Sequence, residues 1–503
     1  MKKLITAILI LSMLISALAL IGCSEQGIAK APGEITLEFQ GTKLVWNKVA
    51  NAECYYINVR FSTLSSFQLP LNETEYPLKE TTEGEYVYTV KAKVGDKHTK
   101  DSNQIKIILG KNGEKTVISI KDGVEKEILH SGDGSAQNPI AISTRQELAS
   151  ITTGTKTVNV DGVNVQEPLY YKQVCDIDLS GSEWLPLATA FAGVYDGNYH
   201  KITGLSIKYC PNSNRMGLFG NVNKGTVKNV RIENASITVP KLNGDKCYIG
   251  LLIGYAENAT VENCSVEGKI DVPAAEAVNR MVWGGMLIGA MGGTKVSRCS
   301  ARGEMFISYG KVYAGGLVGY LKSPQTNNAV TDSYSRATVS AYAVGKDSTG
   351  DVVAVSAAGS MFGYISYTDQ AGITNCYGSG TVTVTGRTGT LAENLIKGFA
   401  GGTNGNLTSK RSSILFNNCF FAREGVVTEY DTTLYDTPQK IAEFYGVGNK
   451  EHQLKESTLY ALETADMSNQ ASYVGWDFQT VWMMQDGLPI LQWEYKVQEG
   501  ENQ

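Results

Sequence analysis

The chain has 503 residues, 42% hydrophobic and 19% charged, with 53 glycines against 12 prolines. That length calls for more than one domain, and the composition is that of a folded chain that turns often, not of a collagen. The formal charge is −5 with no long basic run, which speaks against nucleic acid as a partner, because phosphate binding needs clustered Lys and Arg.

Lys2 and Lys3 precede an apolar stretch from Leu4 to Ile21 that only Thr6 and two serines interrupt. Its length would suit a membrane span, but a basic start and a small-residue end mark a secretory segment. That end, Leu20-Ile21-Gly22-Cys23, resembles the bacterial lipobox. The resemblance implies a signal peptide over 1–22, cleavage before Cys23, a diacylglyceryl chain on Cys23, and a membrane as partner. An ordinary signal peptide with an incidental Cys23 is the alternative. Loss of Lys2 and Lys3 takes the formal charge from −5 to −7. The mature chain is then expected at the cell envelope, exposed outside the cytoplasm, where disulfides can form. Eight cysteines besides Cys23 remain, with no C-x-x-C pair.

Residues 23–32 read as a lipid-anchored tether. From 33 to 110 the sequence alternates in short β-rich runs, "ITLEFQ", "TKLVWNKV", "CYYINVRF", "EYVYTVKAKV" and "NQIKIIL", which predict a small β-sandwich. "LVWNKVANAECYYINVR" and "GEYVYTVKA" resemble a fibronectin type III domain, with Trp46 and Tyr86 or Tyr88 at its core positions; a sandwich of another immunoglobulin-like lineage is the alternative. Cys54 reads as a small buried hydrophobe. Residues 111–135 carry Asn/Asp-Gly turn signals and read as a hairpin-bearing linker. A new domain, 136–496, opens with Ser143 and Gln146 as a capping box and a short helix at "RQELASI" that could close the end of a stacked β structure.

Within that domain one motif returns: "MGLFGN" (216–221), "IGLLIGY" (249–255), "WGGMLIGA" (283–290), "AGGLVGY" (314–320) and "AGSMFGY" (358–364). The tails that follow align so that one position holds Val230, Cys264, Cys299, Ser333, Cys376 and Cys419, spaced by 34, 35, 34, 43 and 43 residues. Such a period marks a repeat architecture. Val227, Val261, Val296, Val330 and Ile373 stand three before, giving half-buried strands. Strands stacked about 4.8 Å apart pile like residues into ladders, so the four cysteines are expected as thiols of one internal ladder; disulfides between neighbouring coils are the rival reading. Gly315, Gly316 and Gly319 are expected to let the chain bend around Leu317 and Val318. A phosphate loop fails, because "GGTK" at 292–295 has Thr and Lys in the wrong order. The 43-residue spacings predict loop insertions.

"GGLVGY", "GGMLIGA" and "TVENCSVEG", with "NPIAISTRQELASI", "YYKQVCDIDLSGSEWLPLA", "FAGVYDGNYHKITGLSI" and the closing "VGWDFQTVWMMQDGLPILQW", resemble GLUG-motif repeats over about residues 128–495. The resemblance implies an all-β fold, a right-handed parallel β-helix with short capping helices, on secreted or surface bacterial proteins, and binding or adhesion more often than catalysis. One coil or two per repeat stays open.

Asp176, Asp178 and Asp196 are the candidate catalytic carboxylates, since paired acids on a β-helix could serve acid–base chemistry. Against that, "DIDLSG" and "YDGN" are turn sequences in which Asp caps backbone N–H groups. His98, His130, His200 and His452 stand outside any H-E-x-x-H, and no G-x-S-x-G occurs. Neither metal nor other cofactor is expected. Tyr255, Tyr320 and Tyr364 follow the repeat glycine at equivalent positions, with Ala290 interrupting. Outward, they are candidate ligand-binding residues that stack on sugars or a partner; inward, they fill the core. Tyr309, Tyr313 and Tyr334 pose the same question. Trp476, Trp482 and Trp493 are expected to seal the far end, behind a helix at "TPQKIAEFYG" with Thr437 as its N-cap. The sequence thus predicts a monomeric, lipid-anchored, noncatalytic binding protein for a glycan or an extracellular protein. A β-helix carbohydrate-active enzyme is the second reading and a structural envelope protein the third.

Overall fold

The structure, a computed structural model, describes residues 33–498 apart from 41–42, 62–64, 111–113, 188–189, 209–213, 240–245, 274–280, 323–327, 344–355, 366–370, 386–394, 397, 402–413, 423–425 and 428–458. Cys23 and the helix expected at "TPQKIAEFYG" lie outside the described residues, as does His452. Among the described residues no helix is long and apolar enough to cross a membrane.

The N-terminal part is two antiparallel sheets. Leu37–Gln40, Lys43–Trp46 and Glu75–Pro77 form the smaller one. The larger is built on Gly84–Val94 and Cys54–Phe61. Alternation decides the packing: in Cys54–Phe61, Tyr55, Ile57 and Val59 point inward. They meet Leu37, Leu44, Trp46, Tyr88, Val90 and Ile107 in one buried cluster. The segment 111–135 does hold a hairpin, Lys115–Lys121 with Val124–Ser131. Its first strand pairs along all of Gln104–Leu109, so the hairpin extends the larger sheet. Ala141 and Val174 join this core while Ile142 belongs to the next, so the strand Ile140–Ile142 bridges the two.

Beyond it the chain winds as a parallel β-solenoid, and each repeat is one coil. The coil over 246–272 has four strands, Lys246–Ile249, Ile253–Glu257, Thr260–Glu262 and Ser265–Val272, and each pairs in parallel with its counterpart one repeat on. One inward register line runs Tyr171, Tyr195, Val227, Val261, Val296, Val330, Ile373, Phe416. The longer fourth repeat keeps this register. Tyr309 pairs with Ala343, 34 residues on, but Val312 pairs with Ser356, 44 on, so its extra residues fall between Ala343 and Ser356.

The small-residue spine is internal. Val230, Cys264, Cys299, Ser333, Cys376 and Cys419 are all fully buried, and the described cysteines are free thiols. Each thiol donates to a carbonyl, Cys264 to Glu262, Cys299 to Ser297 and Cys376 to Thr374, each at 3.2 Å, and Cys419 to Ile373 at 3.3 Å. Burial first, and then the neighbouring thiol, push Cys264 and Cys376 well above the ordinary thiol range.

Three expectations need correction. The capping box of the first helix, α1 (Arg145–Ala149), uses Thr144 and Glu147, not Ser143 and Gln146. Thr144 has the extended backbone an N-cap requires, and Ser143 instead adds its own N–H and hydroxyl to the Glu147 carboxylate. The repeat glycines serve close approach more than bending. Gly319 is not among the left-handed residues, yet a Cβ there would sit 2.5 Å from the Gly289 carbonyl oxygen and 2.6 Å from that of Gly284. A left-handed residue stands just before each spine position: Asn229, Asn263, Arg298, Asp332, Asn375 and Asn418, with φ between 48° and 55°. Asn and Asp tolerate that region best.

The third correction concerns the tryptophans, which lie along a flank and do not plug one end. The C-terminal segment holds α2 (Thr464–Met467), the hairpin Trp482–Gln485 with Leu488–Leu491, and α3 (Gln492–Gln498). Trp476 donates to the Asn418 carbonyl, on the last described coil. Trp493 donates to Arg298 and packs on Tyr199, several coils back. The segment is a strap over Tyr334, Tyr377 and Phe420.

Candidate functional site

All three aspartates accept backbone N–H groups, Asp178 and Asp196 within a local turn. Asp176 accepts the Lys201 N–H at 2.8 Å and lies 3.4 Å from His200. Asp178 accepts the N–H and the hydroxyl of Ser180, each at 2.8 Å, and these bonds hold its carboxyl below the usual range. Asp196 accepts the N–H of Asn198 and the amide of Asn229, each at 2.8 Å, and pairs with Lys228 at 3.2 Å. It is the foot of a ladder along the left-handed corner. Asn263 donates to Asn229, and Arg298 donates to Asn263 and pairs with Glu262. Asp176 and Asp178 share an open cleft of about 660 Å³ with Arg145, Lys43 and Cys175; Asp196 is not part of it. Arg145 is committed there to the carbonyls of Leu179 and Glu183 and to the face of Trp184.

The tyrosines are on the outside. Tyr255, Ala290, Tyr320 and Tyr364 stand in register across neighbouring strands. Strand alternation turns them outward, since the next residues, Ala256, Leu321 and Ile365, are fully buried on the inward face. The gap at Ala290 is filled from the adjacent sheet of the same coils, where Tyr248, Trp283 and Tyr313 stand in register. Trp283 stacks on Tyr248 at 4.8 Å and packs against Tyr320 at 5.3 Å. Tyr364 meets Tyr313 at 4.9 Å and Tyr320 at 6.1 Å. The six rings make one continuous cluster on the outer side of the sheets; the five tyrosines are half-buried, and Trp283, 6% exposed, lies beneath its neighbours at the centre.

Its margins are charged. The Arg215 guanidinium lies over the Tyr255 ring at 4.9 Å and the Lys246 ammonium over Trp283 at 5.9 Å. Lys322 approaches the Tyr255 hydroxyl at 3.5 Å and Glu257 at 3.8 Å. Burial pushes the phenols of Tyr248, Tyr313 and Tyr364 up, so they remain hydroxyl donors at neutral pH. The Trp283 indole N–H is buried without an acceptor among the described residues. Among those residues, no group of three His, Cys, Asp or Glu is placed to hold a metal ion.

Sequence reading placed Tyr255, Tyr320 and Tyr364 in one column but missed Tyr248 and Trp283 and gave Tyr313 only a minor place. The signal was present: an aromatic residue precedes the motif glycines in "YIGLLIGY", "WGGMLIGA" and "YAGGLVGY". Tyr309 and Tyr334 are instead buried, the latter under the strap.

Two comparisons bear on this chain. The GLUG motif is matched over residues 246–271, which is one coil of the solenoid from its first strand almost to the end of its fourth. Over 165 residues the chain is 29% identical to Halomucin of Haloquadratum walsbyi, a match that covers 30% of this chain. It spans about 2% of the length of that curated relative. The chain thus carries the GLUG motif on a parallel β-solenoid and shares part of its sequence with a far longer protein.

Proposed function

We propose that this is a surface protein of adhesion type that binds a glycan without catalysis, and that the aromatic face is its binding surface. The observation that carries the reading is the array of half-exposed Tyr248, Tyr255, Tyr313, Tyr320 and Tyr364 across adjacent coils, packed around a buried Trp283. A flat, rigid sheet holds these amphipathic rings at little conformational cost, and they offer apolar area and hydroxyls together. The GLUG motif and the likeness to Halomucin support a surface role. The anchored aspartates support the noncatalytic part, because Asp178 and Asp196 each hold a local turn and Asp176 accepts the Lys201 N–H of the next coil segment. In this reading a lipid on Cys23 fixes the chain to the membrane. The two-sheet N-terminal part, with its fibronectin-like Trp46 and Tyr88 core, then lifts the solenoid clear as a monomer.

Full-length protein in nonionic detergent, applied to an array of glycans and matrix proteins, tests this alongside a polysaccharide degradation assay. Retention of glycans without loss of polymer mass is expected, and the variant W283A/Y320A should lose it. Retention confined to matrix proteins, glycan retention indifferent to those two substitutions, or depolymerisation would refute it.

A further inference from the structure

The margins of the aromatic face carry charge that a neutral sugar would not need. Outward positions on the two sheets form four columns. Lys246, Met281 and Lys311 are in register at one margin. Arg215, Tyr248, Trp283 and Tyr313 come next, then Tyr255, Ala290, Tyr320 and Tyr364. Glu257 and Gly292 are in register at the far margin, with Lys322 beside Gly292. Among the described residues the face therefore holds four cations, Arg215, Lys246, Lys311 and Lys322, and one anion, Glu257. The whole chain has a formal charge of −5, so this face opposes the average charge of the molecule.

We infer that the ligand is an acidic polysaccharide, a chain bearing carboxylate or sulfate groups, laid across the coils with its sugars on the rings and its acid groups at the lysine margins. This deepens the glycan reading above and rests on it. The geometry adds a reason beyond charge. Several rings lie face to face, with Tyr248 and Trp283 inclined by 18° and Trp283 and Tyr313 by 15°. Stacked rings turn edges and hydroxyl groups outward, and those are donors suited to anionic oxygens. A single-stranded nucleic acid would also be anionic and could stack, but it needs a continuous cationic track. Here the cations are split between two margins and Glu257 stands among them.

Affinity electrophoresis of the full-length chain in nonionic detergent tests the inference. Gels would contain polygalacturonate, its methyl ester, chondroitin sulfate, unsulfated chondroitin or an oligothymidylate. Retardation is expected with polygalacturonate if carboxylate is read, or more with chondroitin sulfate than with chondroitin if sulfate is read. It should be lost in the methyl ester and weaken above about 0.15 M salt, where screening reaches within about 8 Å. K246Q/K311Q/K322Q should abolish it and K246R/K311R/K322R should keep it, with unchanged melting showing that both remain folded. Equal retardation by the ester, or indifference to the lysine changes, would overturn the acidic-ligand inference and leave the glycan reading standing. Retardation by the oligothymidylate alone would overturn both, and retardation by no gel would overturn the acidic-ligand inference.

Discussion

At the scale of single residues, the coil corner is set by side chains that tolerate a left-handed backbone. Asn263 has φ 50°, and its amide donates to Asn229 while accepting from Arg298. An ordinary residue in that conformation costs about 1–2 kcal/mol, and a lost hydrogen bond adds about 1 kcal/mol. N263A should therefore cost about 2 kcal/mol and N263G, which keeps the backbone relaxed, about half as much. Urea unfolding midpoints should fall in the order wild type, N263G, N263A; equal losses would mean that backbone conformation contributes nothing there. This corner was legible in principle, since Asn, Asp or Arg stands before every spine residue in the aligned tails. Attention to the small residue itself hid it. The spine was legible because burial and size restrict a position in every coil, whereas Trp283 was obscure because it stands in for Ala290 from a neighbouring strand.

At the scale of elements, the repeats were readable and the strap was not. Strand period and repeat period are written locally in the sequence, so one-dimensional patterning located the stacked strands. The strap has no repeat, and its key contact joins residues 194 apart: Ser300 donates to Glu494 at 2.6 Å. Glu494 is 5% exposed. It also accepts from the Tyr334 hydroxyl at 2.7 Å and pairs with Arg302 at 3.2 Å. Tyr377, stacked on Tyr334 at 5.0 Å, donates to the Pro489 carbonyl at 2.6 Å, and burial pushes its phenol up to about 12. Removing one partner of such a network leaves buried polar groups and a cation uncompensated, at a cost of about 3 kcal/mol. E494A should thus release the strap before the coils unfold. Hydrogen exchange followed by mass spectrometry would show residues 464–498 losing protection while 246–322 keep theirs. Unchanged protection of the strap, or simultaneous loss in both regions, would show that Glu494 does not fasten it.

At the scale of the whole molecule, the fold turns a short repeated motif into a ruled surface. Each of the four coils from Tyr248 to Tyr364 places at least one aromatic residue on this side, and where Ala290 interrupts one column Trp283 of the adjacent column packs against Tyr320. The inward half of the repeat is fixed by packing; the outward half is not, which leaves it open to the recognition proposed for it. The most direct measurement is fluorine NMR of the chain with 5-fluorotryptophan at its six tryptophans, the Trp283 signal being assigned from W283F and the chain titrated with a polysaccharide that it retains. The Trp283 resonance should shift saturably while those of the core residues Trp184 and Trp482 stay in place. A static Trp283 signal at saturating polysaccharide, or a shift confined to Trp476 and Trp493 on the strap, would contradict the assignment of the aromatic face as the binding surface.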